Sequence, residues 1–192
     1  MNLFKTSTIT QSAITLSGTI INGFLGIIFY IFVARILGPS DFGILSVSIL
    51  VLTLVADIGN LGVDTGLIRF VPRYLKHDKE KAYRFMKLGL TVKIVVSFLI
   101  LIIGWIIVPF VSESILLKPS LSNPLHLAMI GVGGAMLFSF VTNSFQSMQR
   151  FFTWSILNIF MNGLRLLAVS LFFVLFQINL QITLIIYIVI PF

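Results

Sequence analysis

Long apolar runs decide what this chain can fold into. A helix crossing the hydrocarbon of a bilayer needs about 20 mainly apolar residues. Runs of that kind are read over residues 8–34, 41–70, 83–110, 125–150 and 154–176, and a further one starts at 181 and stops at 192. With 58% hydrophobic residues, 10% charged residues and a mean hydropathy of +1.10, the apolar surface exceeds what a soluble domain can bury. The expected fold is therefore all-α: a polytopic membrane helix bundle of five transmembrane helices and the start of a sixth, with 1–192 as one transmembrane lobe. The apolar segment at the Met1 end is too long, and too interrupted by polar residues, for a signal peptide.

Breaks between the runs have helix-ending chemistry. "RILGPSDFG" contains Gly38-Pro39 and offers Ser40 or Asp41 as the next N-cap. "SESILLKPSLSNP" is rich in turn formers. Such short connections imply antiparallel neighbours. The run that stops at Phe192 suggests part of a helix bundle rather than a whole one.

The net charge of +7 is concentrated. Arg69, Arg73, Lys76, Lys79, Lys81, Arg84 and Lys87, set against Asp78 and Glu80, leave +5 in one segment. This is expected to be a cytoplasmic basic loop, not a nucleic-acid surface. Its charges would touch anionic lipid or collect a phosphorylated lipid at the inner leaflet. Met1 and "QRFFTW" then also lie inside, and the Gly38 and Lys118 breaks outside. Lys5, Arg150, Glu113 and Asp41 fit this orientation; Arg35 and Lys118 run against it.

Polar residues recur on single faces of the expected helices. Ser46, Thr53, Asp57, Asn60 and Asp64 are spaced 7, 4, 3 and 4, which places them on one side of a helix with 3.6 residues per turn. Thr8, Gln11, Thr15, Asn22, Gly26 and Tyr30 form a stripe in the first helix. Ser139, Asn143, Gln146 and Arg150 form one in the fourth, and Asn158, Asn162 and Arg165 one in the fifth. A charge at mid-membrane costs roughly 2.5–3.5 kcal/mol on insertion scales, so these faces turn inward, toward each other or toward water. Asn, Gln, Ser and Thr there are read either as interhelical glue or as ligands. Asp57 and Arg165 are read either as functional or as a structural pair. Gly59, Gly62 and Gly66 are read as sites of close helix approach.

Catalytic and cofactor patterns are missing from the sequence. It has no HExxH, GxSxG or phosphate-binding loop, and no cysteine for a thiolate metal site or a disulfide. His77 and His126 have no partner pattern. No enzyme activity, metal or cofactor is expected.

"ARILGPSDFGILS" at 34–46 and "LGVDTGLIRFVPRY" at 61–74 resemble the N-terminal signature of polysaccharide flippases, the O-antigen type in the multidrug/oligosaccharidyl-lipid/polysaccharide transporter superfamily. The resemblance rests on Arg35, Leu37, Gly38, Pro39, Phe42 and Gly43 at one helix exit, and on Gly62, Asp64, Arg69 and Phe70 at the next. "MQRFFTWSILNIFMNGLRLL" at 148–167 resembles the family's junction between helices four and five. It implies export of a polyprenyl-pyrophosphate-linked oligosaccharide from the cytoplasmic to the outer leaflet of the cell membrane by alternating access, with a C-terminal lobe in the full-length chain or a second chain. Arg165, Asn22, Asn60, Asn143, Gln146 and Asn162 would line the substrate cavity. Asp57 and Asp64 would bind a coupling proton or sodium ion. The alternatives are a multidrug or organic-cation antiporter of the same superfamily, or an integral-membrane glycan enzyme.

Overall fold

The computed structural model describes residues 2–175 and 179–192, with side chains from residue 12 onward. Six α-helices follow one another: α1 (Asn2–Gly59), α2 (Val63–His77), α3 (Lys79–Phe110), α4 (Ser122–Ser147), α5 (Phe151–Leu175) and α6 (Leu180–Val189). A π-turn at Val111–Ile115 and a 3-10 turn at Pro119–Leu121 join α3 to α4. The expected all-α bundle is what forms, with no strand among the described residues. Four segments are long and apolar enough to cross a membrane: Ser12–Gly59, Lys79–Ile115, Pro119–Ser147 and Phe151–Leu175. The ten residues of α6 make a shorter apolar helix. Thr8, Gln11 and Phe176, which belong to the expected helices, lie outside the residues whose side chains are described.

The first two expected helices are the two arms of α1, residues 2–37 and 39–59. They meet at Gly38, whose φ of 75° and ψ of 172° fall in a region that only glycine occupies comfortably. Pro39 follows with no N–H to continue the first arm's hydrogen-bond ladder. A straight helix would hold Tyr30 and Phe42 about 18 Å apart. Their rings lie 6.4 Å apart, so the arms fold toward one another at Gly38.

A second break corrects the expected single helix over 41–70. Leu61 and Gly62 both have positive φ, 47° and 75°. Two successive left-handed residues end α1 at Gly59 and start α2 at Val63. Asn60 stabilises the restart by accepting the Asp64 N–H on its side-chain oxygen at 3.3 Å. Arg69, Arg73 and Lys76 therefore do not lie on a loop. They form the exposed face of α2, opposite the buried Leu67 and Val71. Only Asp78 separates α2 from α3, and its carboxylate caps α3 by accepting the Lys81 N–H at 3.0 Å.

Packing partners show which helices run together. Gly18 abuts Ser155 and Asn22 bonds Asn162, so the first arm of α1 is parallel to α5. Leu52 meets Gly131 and Gly59 lies near Met136, so the second arm is parallel to α4. α3 opposes α4, with Gly89 against Phe140 and Gly104 against Met129. Successive helices thus alternate in direction, apart from α2, which continues the sense of the second arm. α4 sits at the centre and touches every other helix. Its Ala128, Val132 and Met136 join Val33, Leu45 and Leu52 of α1, Val169 of α5 and Leu184 of α6 in the largest core. The outward faces of α3 and α5 stay apolar and exposed, at Phe98, Ile102, Ile106, Phe160 and Leu167 for example, as hydrocarbon-facing surfaces should.

The fold at Gly38 yields a test. Gly38→Ala should destabilise the protein by about 1–3 kcal/mol, because alanine is strained at this φ and ψ. Thermal unfolding in detergent measures this, and an unchanged midpoint would mean that the turn does not need glycine.

Candidate functional site

Two polar clusters form within the apolar helices. The first joins α1, α5 and α6. Asn162 and Arg165, one turn apart on α5, face the same neighbours. Asn162 donates its side-chain N–H to the Asn22 side-chain oxygen Oδ1 at 2.7 Å. The Arg165 guanidinium carbon stands over Tyr187, 3.8 Å from the ring centroid. It donates to the Asn162 side-chain oxygen and to the Tyr187 backbone oxygen, both at 3.4 Å. Its Nε is buried with no hydrogen-bond partner. Tyr30 stands beside the cluster, edge-on to Phe29, which in turn contacts Tyr187.

Chemically, this guanidinium is positioned by neutral groups and has no carboxylate against it. The ring contact is worth up to roughly 2 kcal/mol where water is excluded, and it fixes the plane of the group. The two 3.4 Å bonds lie beyond the usual N–H···O range and hold little of the donor capacity. A planar, permanently charged fork with free N–H groups suits bidentate recognition of an oxyanion.

The second cluster joins α2, α3 and α4. The Lys93 side chain is completely buried, and its ammonium donates to Asp64 Oδ1 at 2.6 Å, Ser139 Oγ at 2.7 Å and the Met136 backbone oxygen at 3.2 Å. The other carboxylate oxygen, Oδ2, accepts from Asn60 Nδ2 at 2.7 Å and from Ser139 Oγ at 2.5 Å. Gly89 lies one turn before Lys93 on the same face of α3. A Cβ there would stand 3.1 Å from Val63 Cγ1, so a bare backbone at Gly89 brings α2 close enough for Asp64 to reach Lys93.

The anticipated stripes are thus divided among different environments. Asn22, Asn162 and Arg165 come together, and Asn60 and Asp64 come together around Lys93. Asp57 and Arg165 do not pair: Asp57 is exposed and has no partner among the described residues, while Arg165 is engaged by Asn162 and Tyr187. Asn143 and Gln146 lie half-buried on α4 without side-chain partners among the described residues. Asn158 turns back on its own helix and donates to the Trp154 carbonyl at 2.8 Å. Lys93 was not among the anticipated residues. Its signal was present as the one ionisable side chain in the apolar stretch 88–110 of α3, where such a residue needs a partner.

Breaking a buried ion pair from one side costs about 3–5 kcal/mol, because the remaining charge loses its partner. Asp64→Ala should therefore lower stability by that order. Asp64→Asn combined with Lys93→Met should cost less than the two single changes added together. Thermal unfolding of the four proteins gives the coupling, and strictly additive costs would mean that the pair is not energetically joined.

Comparison with known proteins agrees with this architecture. The family model described as "Polysaccharide biosynthesis protein" matches residues 9–191. Neither curated proteins nor solved structures give a significant match. The family match spans nearly the entire helical bundle, both polar clusters included, and this multi-pass membrane chain belongs to the polysaccharide biosynthesis protein family.

Proposed function

We propose that this chain is one lobe of a flippase that carries a polyprenyl-pyrophosphate-linked oligosaccharide from the cytoplasmic to the outer leaflet of the cell membrane. One observation carries the reading: the Arg165 guanidinium sits over the Tyr187 ring inside the membrane-spanning bundle, facing no carboxylate and held by long hydrogen bonds of 3.4 Å. Family membership supports the substrate class.

A sugar-pyrophosphate headgroup in hydrocarbon would lose the hydrogen bonds of each hydroxyl and phosphate oxygen. Asn22 and Asn162 offer amides beside Arg165, and Asn143 and Gln146 offer unpaired amides on α4. These replace water around the sugars while the guanidinium holds the pyrophosphate. The prenyl tail stays in lipid. A second, C-terminal lobe, on the full-length chain or on another chain, completes the cavity, and the two lobes rock about it.

The end of the bundle bearing Arg69, Arg73, Lys76, Lys79 and Lys81 faces the cytoplasm, as does the N-terminus. With the inside negative, each negative charge moved outward gains about 2.3 kcal/mol per 100 mV, so export needs no nucleotide and no catalytic group. The chain acts as a transporter and not as an enzyme. Asp57, exposed and unpartnered, is the carboxylate available to a coupling proton or sodium ion. The same exposed carboxylate favours, as a second reading, an antiporter for organic cations.

Replacing Arg165 tests the proposal. In cells lacking the native gene, Arg165→Ala should let complete lipid-linked precursor accumulate facing the cytoplasm. Transport should fall roughly 10- to 100-fold, the equivalent of losing a charged hydrogen-bonded contact of about 1.5–3 kcal/mol. Loss of the precursor itself would point to an enzyme acting earlier. Normal precursor with altered tolerance of cationic drugs would favour the antiporter. Asp57→Asn should abolish any dependence of transport on pH or sodium; a dependence that survives the change removes Asp57 from coupling.

A further inference from the structure

We infer that Asp64, Ser139 and Met136 form a monovalent-cation site within the bundle, and that Lys93 fills it with the chain's own ammonium. The inference is independent of what the protein transports. It starts from how completely the ammonium is matched. A lysine headgroup has three N–H donors and no acceptor. Three oxygens receive them, from a carboxylate, a hydroxyl and a backbone carbonyl, at 2.6, 2.7 and 3.2 Å. Nitrogen and sulfur ligands are absent from this shell, and oxygen donors of these kinds are what hard cations such as alkali ions prefer.

Charge balance selects the class of ion. The shell has one carboxylate and therefore one negative charge. The side chains of Asn60 and Ser139 hold its second oxygen in place. A divalent ion would leave an uncompensated positive charge in a buried site, and it usually takes more oxygen ligands than are found here. A single positive charge leaves the site neutral. An ammonium and a sodium ion are interchangeable in that respect, and they differ in one physical property: Lys93 is tethered to α3 and cannot leave.

The backbone around the site is also suited to an ion. It lies where α1 ends and α2 begins, at the left-handed residues Leu61 and Gly62. Membrane transport proteins gather coupling cations at interrupted helices of this kind, where side-chain and backbone oxygens converge away from lipid. Here the carboxylate stands just past the interruption, its backbone companion is the Met136 oxygen of α4, and the cation is covalently part of the protein. Asp64 is then not available to a mobile ion, and Asp57, seven residues earlier and without a partner among the described residues, is left as the exposed carboxylate of the stripe.

The test vacates the site. Wild type, Lys93→Ala and Lys93→Ala/Asp64→Asn would be purified in choline chloride, and thermal unfolding followed as choline is replaced by sodium chloride at constant ionic strength. Lys93→Ala should unfold at a lower temperature in choline and recover by roughly 5 °C in sodium, since an ion that binds only the folded state stabilises it by mass action. Wild type and the double variant should show no sodium-specific shift. The same shift in all three proteins, or none in Lys93→Ala, would overturn the inference. Lys93→Met, which keeps most of the side-chain volume, separates lost charge from lost packing and should respond to sodium in the same direction. Failure of Lys93→Met to accumulate in cells would also overturn it, because cellular alkali cations would fill a true site.

Discussion

Hydrocarbon supplies no hydrogen bonds, and that absence governs where every polar atom in this bundle is found. A side chain that would be hydrated on a soluble protein must here find protein partners or face water. The result is segregation. Lys93, Asp64, Ser139 and Asn60 satisfy one another across α2, α3 and α4. Ser48, Thr53, Thr142 and Ser170 donate back to carbonyls of their own helices. The central α4 is lined by Ala128, Gly131, Val132 and Met136 over its first half, and its polar side chains Ser139 and Thr142 follow beyond them.

The buried Lys93 and the half-buried Arg165 are used in opposite ways. Lys93 is a compact point charge whose three donors are all taken, which makes it a structural counter-ion. Arg165 is a planar fork resting on an aromatic face, with long bonds and an unmet Nε. Satisfaction suits a group that holds helices together, and unmet valence suits one that receives a ligand. The difference lies in their neighbours: Lys93 faces a carboxylate, whereas Arg165 faces amides, a ring and a carbonyl.

Much of this was legible in the sequence, for physical reasons. Helix period placed Asn162 and Arg165 on one face, and their grouping with Asn22 follows from packing that face inward. Gly38-Pro39 marked the fold of α1 because few other pairs stop a helix so firmly. The break at Leu61 and Gly62 was not legible. Leucine rarely adopts positive φ, and the polar spacing from Ser46 to Asp64 fits an unbroken helix. The basic residues from Arg69 to Lys76 suggested a loop because charge is conspicuous, yet Leu67 and Val71 between them carry a helical apolar period that buries against α3 and α4. Lys93 was hidden by its surroundings: the pattern of α3 gives it only Ser97 one turn on and no carboxylate, and Asp64 and Ser139 come from other helices.

The break between α1 and α2 has a geometric consequence for the two aspartates. Seven residues separate Asp57 from Asp64, close to two full turns, so an unbroken helix would point both carboxylates the same way. Leu61 and Gly62 put them out of phase, one exposed and one enclosed. The three residues from Asn60 to Gly62 therefore behave as a phase shifter for everything downstream. A residue added or removed there changes the direction and rotation with which α2 leaves α1, and with them which side chains meet α3. Homologous chains of different length at this joint would present different residues to the same lysine, so the length of three residues, and not only their identity, encodes the polar layout of the lobe.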